Sequence, residues 1–228
     1  GRPSGGRVIG GAFRQVVSTF RQVKHYRGLG RFLVGRAFYT DAANTMIVFM
    51  GIYAIQNVGY SEAMTNILVM VAVAAAIAGG LAWGPVVDRL GPKRTLNLVL
   101  LTWIATLVSA AVIPLLHLPR VLFWGVASAT GIALSGTWAS DRPLMLVLSP
   151  PARVGEFYGL YSMIGRFSAV VGPVLWALVA EDLGLGRPAS VLVLAVMVVV
   201  AFAVLRRVDD EPRDWTPEEM GLEGNGAG

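Results

Sequence analysis

Six long apolar runs dominate the sequence: Phe32 to Ile55, Met64 to Val87, Thr95 to Leu116, Val121 to Leu148, Gly155 to Ala180 and Pro188 to Leu205. A helix rising 1.5 Å per residue needs about 20 mainly apolar residues to cross about 30 Å of hydrocarbon. Each run meets or approaches that length. Together they predict an all-α polytopic membrane protein, a bundle of six transmembrane helices. Only 14% of the 228 residues are charged, against about a quarter in a soluble domain. Membrane solvent accounts for this better than a large core does.

Lysine and arginine are retained on the cytoplasmic side of a membrane, so their placement predicts orientation. Arg2, Arg7, Arg14, Arg21, Lys24, Arg27 and Arg31 precede the first run. Arg89, Lys93 and Arg94 follow the second, Arg153 follows the fourth, and Arg206, Arg207 and Arg213 follow the sixth. The alternate connections hold only Arg120 and Arg187. Six crossings with both termini in the cytoplasm satisfy every loop, and the plasma membrane is the expected compartment. The net charge of +5 is thus topological. Its basic residues lie between apolar runs and not on one exposed face, which argues against a nucleic-acid partner.

Residues 1–31 read as a cytoplasmic linker, 32–206 as the bundle and 207–228 as a cytoplasmic tail. Within the linker, Phe13, Val16, Val17, Phe20 and Val23 recur at helical spacing opposite Arg14, Ser18, Arg21 and Lys24. They predict an interfacial amphipathic helix, either a plain linker or one that meets anionic lipid or a partner. In the tail, Thr216-Pro217-Glu218-Glu219 has the form of a helix start. The chain opens Gly1-Arg2-Pro3 without signal-peptide order, which suggests a fragment.

Several chemistries are excluded by inventory. With no cysteine there is no disulfide framework, thiolate metal site or cysteine nucleophile. His25 lies in the linker and His117 near the outer surface, so they share no site. No spacing resembles a metal motif, and the sequence calls for no cofactor and no enzyme activity.

Polar residues inside the runs divide the six helices, because an ionisable group facing lipid costs several kcal/mol and normally turns to a cavity or a partner. The second run carries Ala72, Ala76 and Gly80 four apart, a pattern for close helix contact. The third and sixth read as peripheral scaffold. The first carries Arg36, Thr40, Asp41, Asn44 and Thr45, with Asp41, Asn44 and Thr45 spaced to share one face. The fourth carries Ser135, Trp138, Asp141 and Arg142, and the fifth Tyr158, Tyr161, Ser162 and Arg166. Asp41, Asp141 and Arg166 each fall about 14 to 16 Å from the cytoplasmic border. Two carboxylates and a guanidinium near the midplane suit a charged or zwitterionic solute or a coupling proton, or else an internal salt bridge that fixes packing. Glu156 either pairs with Arg142 or sits at the positive end of its helix.

Between the second and third runs the chain reads GPVVDRLGPKR, Gly84 to Arg94. This resembles the signature loop of the major facilitator superfamily, with Pro92 where a basic residue is usual. Gly84 and Gly91 would allow a tight turn and close approach, Asp88 would cap or attract a helix N-terminus, and Arg89, Lys93 and Arg94 would hold the loop inside. FLVGRAFYTDAANT, Phe32 to Thr45, and DRPLMLVLSPPARVGEFYGLYSMIGRFSAVVGP, Asp141 to Pro173, look like the second half of its vacuole-effluxer-like branch. Trp138 departs from the glutamine expected there.

The resemblance implies the C-terminal half of a twelve-helix carrier whose first six-helix half is missing here. It carries over Asp41, Asn44, Arg142, Glu156 and Arg166 as family-like positions. The implied function is secondary active transport, by alternating access, of a small organic solute such as an amino acid, or drug-like efflux. Solute would meet Asp41, Asn44, Trp138 and Arg166, with Asp41 accepting a proton or a solute amine and Arg166 its counter-ion. Thr45 and Asp141 belong to the same set, and Asp88, Arg89, Arg142 and Glu156 to a gate. A non-transporting scaffold or solute sensor of the same fold is the alternative.

Overall fold

The computed structural model describes residues 28–208 together with Thr216 and Met220. The amphipathic segment expected before the bundle lies outside the described residues. Of the tail, the Met220 N–H donates to the Thr216 carbonyl at 2.9 Å; the residues between them lie outside as well.

The described residues are mostly helical and include no strand. α1 (Leu29–Tyr53) runs on through a π turn, Ala54–Val58; α2 is Glu62–Leu90 and α3 is Pro92–Leu115. A 3-10 turn, Arg120–Leu122, leads into α4 (Phe123–Leu148). Another, Pro151–Arg153, leads into α5 (Val154–Phe167), followed by α6 (Val171–Ala177) with its π extension Leu178–Asp182, and by α7 (Arg187–Leu205). α5 and α6 together form the fifth span.

The second to sixth spans are long and apolar enough to cross a membrane. α1 is long enough, at 25 residues, but Arg36, Asp41 and Asn44 lower its hydropathy. It is the helix that carries the site. The chain is an all-α, multi-pass membrane bundle, with helices alternating in direction. Arg31 Nη1 donates to the Arg207 carbonyl at 3.0 Å, joining the start of α1 to the end of α7. Tyr60 Oη donates to the Arg120 carbonyl at 2.6 Å, joining the α1–α2 and α3–α4 connections at the opposite end.

Local chemistry sets the boundaries. Ser61 caps α2, its hydroxyl accepting the Met64 N–H at 3.3 Å. Gly91 turns the chain between α2 and α3 with φ +81°, which an L side chain resists, and Pro92 starts α3 where no N–H is needed. The fifth run, expected as one helix, is broken at Ser168–Val170. Pro173 contributes to this: it has no N–H for the Ala169 carbonyl, and its ring crowds that carbonyl, although Pro85 and Pro143 are carried inside continuous helices.

Small residues bring α2 onto α4. A Cβ on Gly131 would collide with the Ala72 carbonyl and lie 2.9 Å from Ala76 N, and one on Gly79 would lie 2.6 Å from Ser135 Oγ. The expected Ala72–Ala76 stripe thus makes the contact, with Gly79 in the tight position; a Cβ on Gly80 would be 3.9 Å from its nearest neighbour. Beyond these contacts α2 buries Thr65 and Leu68, and much of the remainder is exposed, including Met70, Ile77 and Leu81. α7 packs between α1 and α3, burying Val191, Leu194, Ala195, Val198, Ala201 and Leu205. The sixth span therefore has a definite inner face. Its uniform apolarity hid that face, since lipid and protein interior accept the same side chains.

Candidate functional site

A cavity of about 300 Å³ opens between α1, α4 and α5. From α1 it is lined by Arg36, Thr40, Ala43 and Asn44, positions that fall on one helical face. α4 contributes Thr137, Trp138, Asp141 and Arg142, and α5 contributes Tyr158, Tyr161, Ser162 and Gly165.

Its wall is built on one ion pair. Arg36 Nη1 donates to Asp141 Oδ2 in a short salt bridge and to Thr40 Oγ1 at 3.3 Å. Tyr161 Oη donates to Asp141 Oδ1 at 2.6 Å, and Tyr39 Oη to Oδ2 at 3.2 Å. The Arg36 guanidinium also lies 3.6 Å from the Tyr161 ring centroid, a cation–π geometry. Gly165 lets it in, since a Cβ there would lie 3.0 Å from Nη2. Asp141 is 1% exposed and Arg36 9%. Their mutual neutralisation and the two tyrosine hydroxyls offset the cost of burying both charges.

The expected residues divide around this pair. Asp141, Asn44, Trp138 and Arg142 line the cavity together. Trp138 is 57% exposed and presents its ring at the opening. Asp41 and Thr45 do not line it. They turn toward α6, where Asp41 Oδ2 accepts the Gly172 N–H at 2.7 Å. The single face expected for Asp41, Asn44 and Thr45 is thus split, because Asn44 and Thr45 stand about 100° apart on either side of Asp41.

Arg166 is exposed on α5 and is not a partner of either buried carboxylate among the described residues. The guanidinium that answers a carboxylate is Arg36. Its signal was present in the sequence as a charge interior to an apolar run, but no role was attached to it. Tyr39 lies within the Phe32 to Thr45 stretch, yet nothing in the sequence assigns it a role; a hydroxyl on an otherwise apolar ring carries no periodicity signal.

The loop residues are placed as follows. Asp88, Arg89 and Arg94 are exposed and Lys93 is half-buried. Gly91 makes the turn, and a Cβ on Gly84 would meet nothing within 4 Å in this chain, so no neighbour within the chain requires a glycine there. No side chain caps α3, so the expected capping by Asp88 is not made there; Thr95 Oγ1 instead donates back to the Gly91 carbonyl at 2.8 Å. Glu156 sits in the first turn of α5 and pairs with Arg153 Nη2 at 2.5 Å, not with Arg142.

Residues 1–213 match the family described as "Vacuole effluxer Atg22 like". The chain belongs to this family. The match runs through all of α1 to α7, so the vacuole-effluxer-like resemblance of Phe32 to Thr45 and Asp141 to Pro173 is that of a family member. Among curated relatives, "Uncharacterized MFS-type transporter YxiO" of Bacillus subtilis (strain 168) is 24% identical over 204 residues, covering 90% of this chain and 46% of the relative. Autophagy-related protein 22-1 of Aspergillus niger is 24% identical over 217 residues, covering 88% of this chain and 34% of the relative. Autophagy-related protein 22 of Botryotinia fuckeliana is 24% identical over 216 residues, covering 88% and 35%. The chain spans less than half the length of these relatives.

Proposed function

We propose that this chain is the C-terminal half of a secondary active transporter that carries a small zwitterionic solute, such as an amino acid, by alternating access. The observation that carries the reading is the Arg36–Asp141 pair in the wall of an open cavity. A solute carboxylate takes the place of Asp141 at Arg36, and its ammonium group takes the place of Arg36 at Asp141. No charge is left unpaired in the exchange, so a zwitterion enters where a singly charged solute would strand one partner. Trp138 and Tyr158 supply apolar surface beside the polar pair.

A second six-helix half completes the carrier. Its support is the exposed apolar surface of α2 and of the fifth span, whose apolar membrane-crossing stretches are only 11% and 24% buried within this chain. The family name and the transporter name of the Bacillus relative agree with this reading. Both termini and the basic connections face the cytoplasm in this reading, with the plasma membrane as the compartment, and a proton gradient drives accumulation.

A packing role for the same ion pair is the rival reading, and would make the protein a scaffold or sensor. Full-length protein in liposomes loaded with unlabelled leucine separates them. Transport predicts uptake of external labelled leucine by exchange; binding of leucine without exchange supports a sensor.

A further inference from the structure

The second buried carboxylate stands behind the solute cavity. Asp41 is 2% exposed and Thr45 fully buried. Asp41 Oδ2 holds the Gly172 N–H, but Asp41 Oδ1 and Thr45 Oγ1 have no hydrogen-bond partner. Packing around them is closed, since a Cβ on Gly172 would collide with Thr45 Oγ1 and lie 2.9 Å from Asp41 Oδ1.

No counter-charge reaches this corner among the described residues. On α1, Arg36 and Tyr39 are bonded to Asp141. On α4, Asp141 and Arg142 belong to the cavity. On α5, Tyr161 is bonded to Asp141 and Arg166 is exposed. α6 from Val171 to Ala177 and α7 from Pro188 to Leu205 contain no titratable side chain. A buried carboxylate without a counter-charge is far more costly than a neutral carboxyl. A hard metal ion calls for about six oxygen ligands, and this corner offers two unpartnered oxygens in closed packing.

We infer that Asp41 and Thr45 form a proton-binding site separate from the solute cavity, and that the break at Ser168–Val170 responds to its occupancy. The coupling role rests on the transport reading above. A proton from the aqueous phase bonds to Oδ1, leaving Asp41 neutral, and Oδ1–H donates to the Thr45 hydroxyl one turn along the same helix. Oδ2 still accepts from Gly172, but as part of a neutral acid, and hydrogen bonds to ionised groups are roughly twice as strong as neutral ones. Protonation therefore loosens the start of α6 from α1, and proton release draws it back. Pro173 has already freed this point of the fifth span from helical continuity, so it is where the span yields.

The test uses the full-length protein. An indicator dye reads proton uptake by purified protein on acidification from about pH 8 to about pH 5, where Asp41→Asn is expected to take up about one proton fewer than wild type. Asp41→Glu is expected to retain that proton, which separates loss of the site from loss of the fold. Hydrogen–deuterium exchange of residues 168–174, corrected for the intrinsic pH effect, is expected to rise on acidification in wild type and not in Asp41→Asn. Equal proton uptake by wild type and Asp41→Asn overturns the proposal, as does leucine accumulation driven by sodium and indifferent to a pH gradient. Leucine exchange without gradients tests the transport reading by itself: its absence, with Asp41-dependent proton uptake intact, removes transport and leaves the proton site supported.

Discussion

Asp141 and Asp41 are both buried carboxylates within apolar helices, yet their surroundings differ in kind. Asp141 receives Arg36 and two tyrosine hydroxyls; Asp41 receives one backbone N–H and keeps an unpartnered oxygen. A carboxylate with a matched cation has its charge balanced, which is the arrangement that exchange of partners with a zwitterion needs. One without a cation responds to proton binding. Burial alone does not separate these roles; the donors supplied by neighbouring helices do.

The largest effect should come from breaking the matched pair on one side. Arg36→Ala leaves Asp141 buried without its cation, which costs about 3–5 kcal/mol, and leucine exchange by the full-length protein should fall more than about 100-fold. The double change Arg36→Met/Asp141→Leu should recover thermal stability but not exchange. Recovery of exchange in the double variant would make the pair structural.

On the Asp41 side, Gly172→Ala drives a methyl into Thr45 and Asp41, and overpacking of this sort costs about 1–3 kcal/mol. A lowered melting temperature of the purified protein would show it, whereas an unchanged one would mean that α6 already moves freely from α1. A smaller change is expected for Tyr161→Phe, which removes one of the donors on Asp141 while Arg36 remains. About 1 kcal/mol, or roughly fivefold in leucine affinity, is expected from competition binding. Arg166→Ala should alter exchange by less than about twofold, since Arg166 is exposed and away from both carboxylates.

Much of this contrast was legible before any fold was known, and the part that was not has a physical cause. Lipid demands about 20 apolar residues per crossing, so the spans were readable to within a few residues: Met64 to Val87 became Glu62–Leu90, and Thr95 to Leu116 became Pro92–Leu115. Interior charges pointed to α1 and α4 for the same reason. Which charges meet was not readable. Asn44 and Thr45 flank Asp41 at equal plausibility on a helical wheel, and only the positions of α5 and α6 decide that Asn44 enters the cavity while Thr45 does not. Arg166 and Arg36 both offered a guanidinium within a predicted span; the exposure of one and the burial of the other come from tertiary packing. Pro173 did carry the signal of the break in the fifth span, hidden by the apolar residues that continue on either side of it.

The central claim is that the Arg36–Asp141 pair exchanges partners with a zwitterion. Its most direct test is competition for labelled leucine exchange in liposomes containing the full-length protein, with unlabelled leucine, its uncharged-carboxyl amide and its amine-free acid as competitors. The pair predicts that leucine competes at least about tenfold more strongly than either analogue, since each loses one charged hydrogen-bonding group worth about 1.5–3 kcal/mol. Equal competition by all three would contradict it.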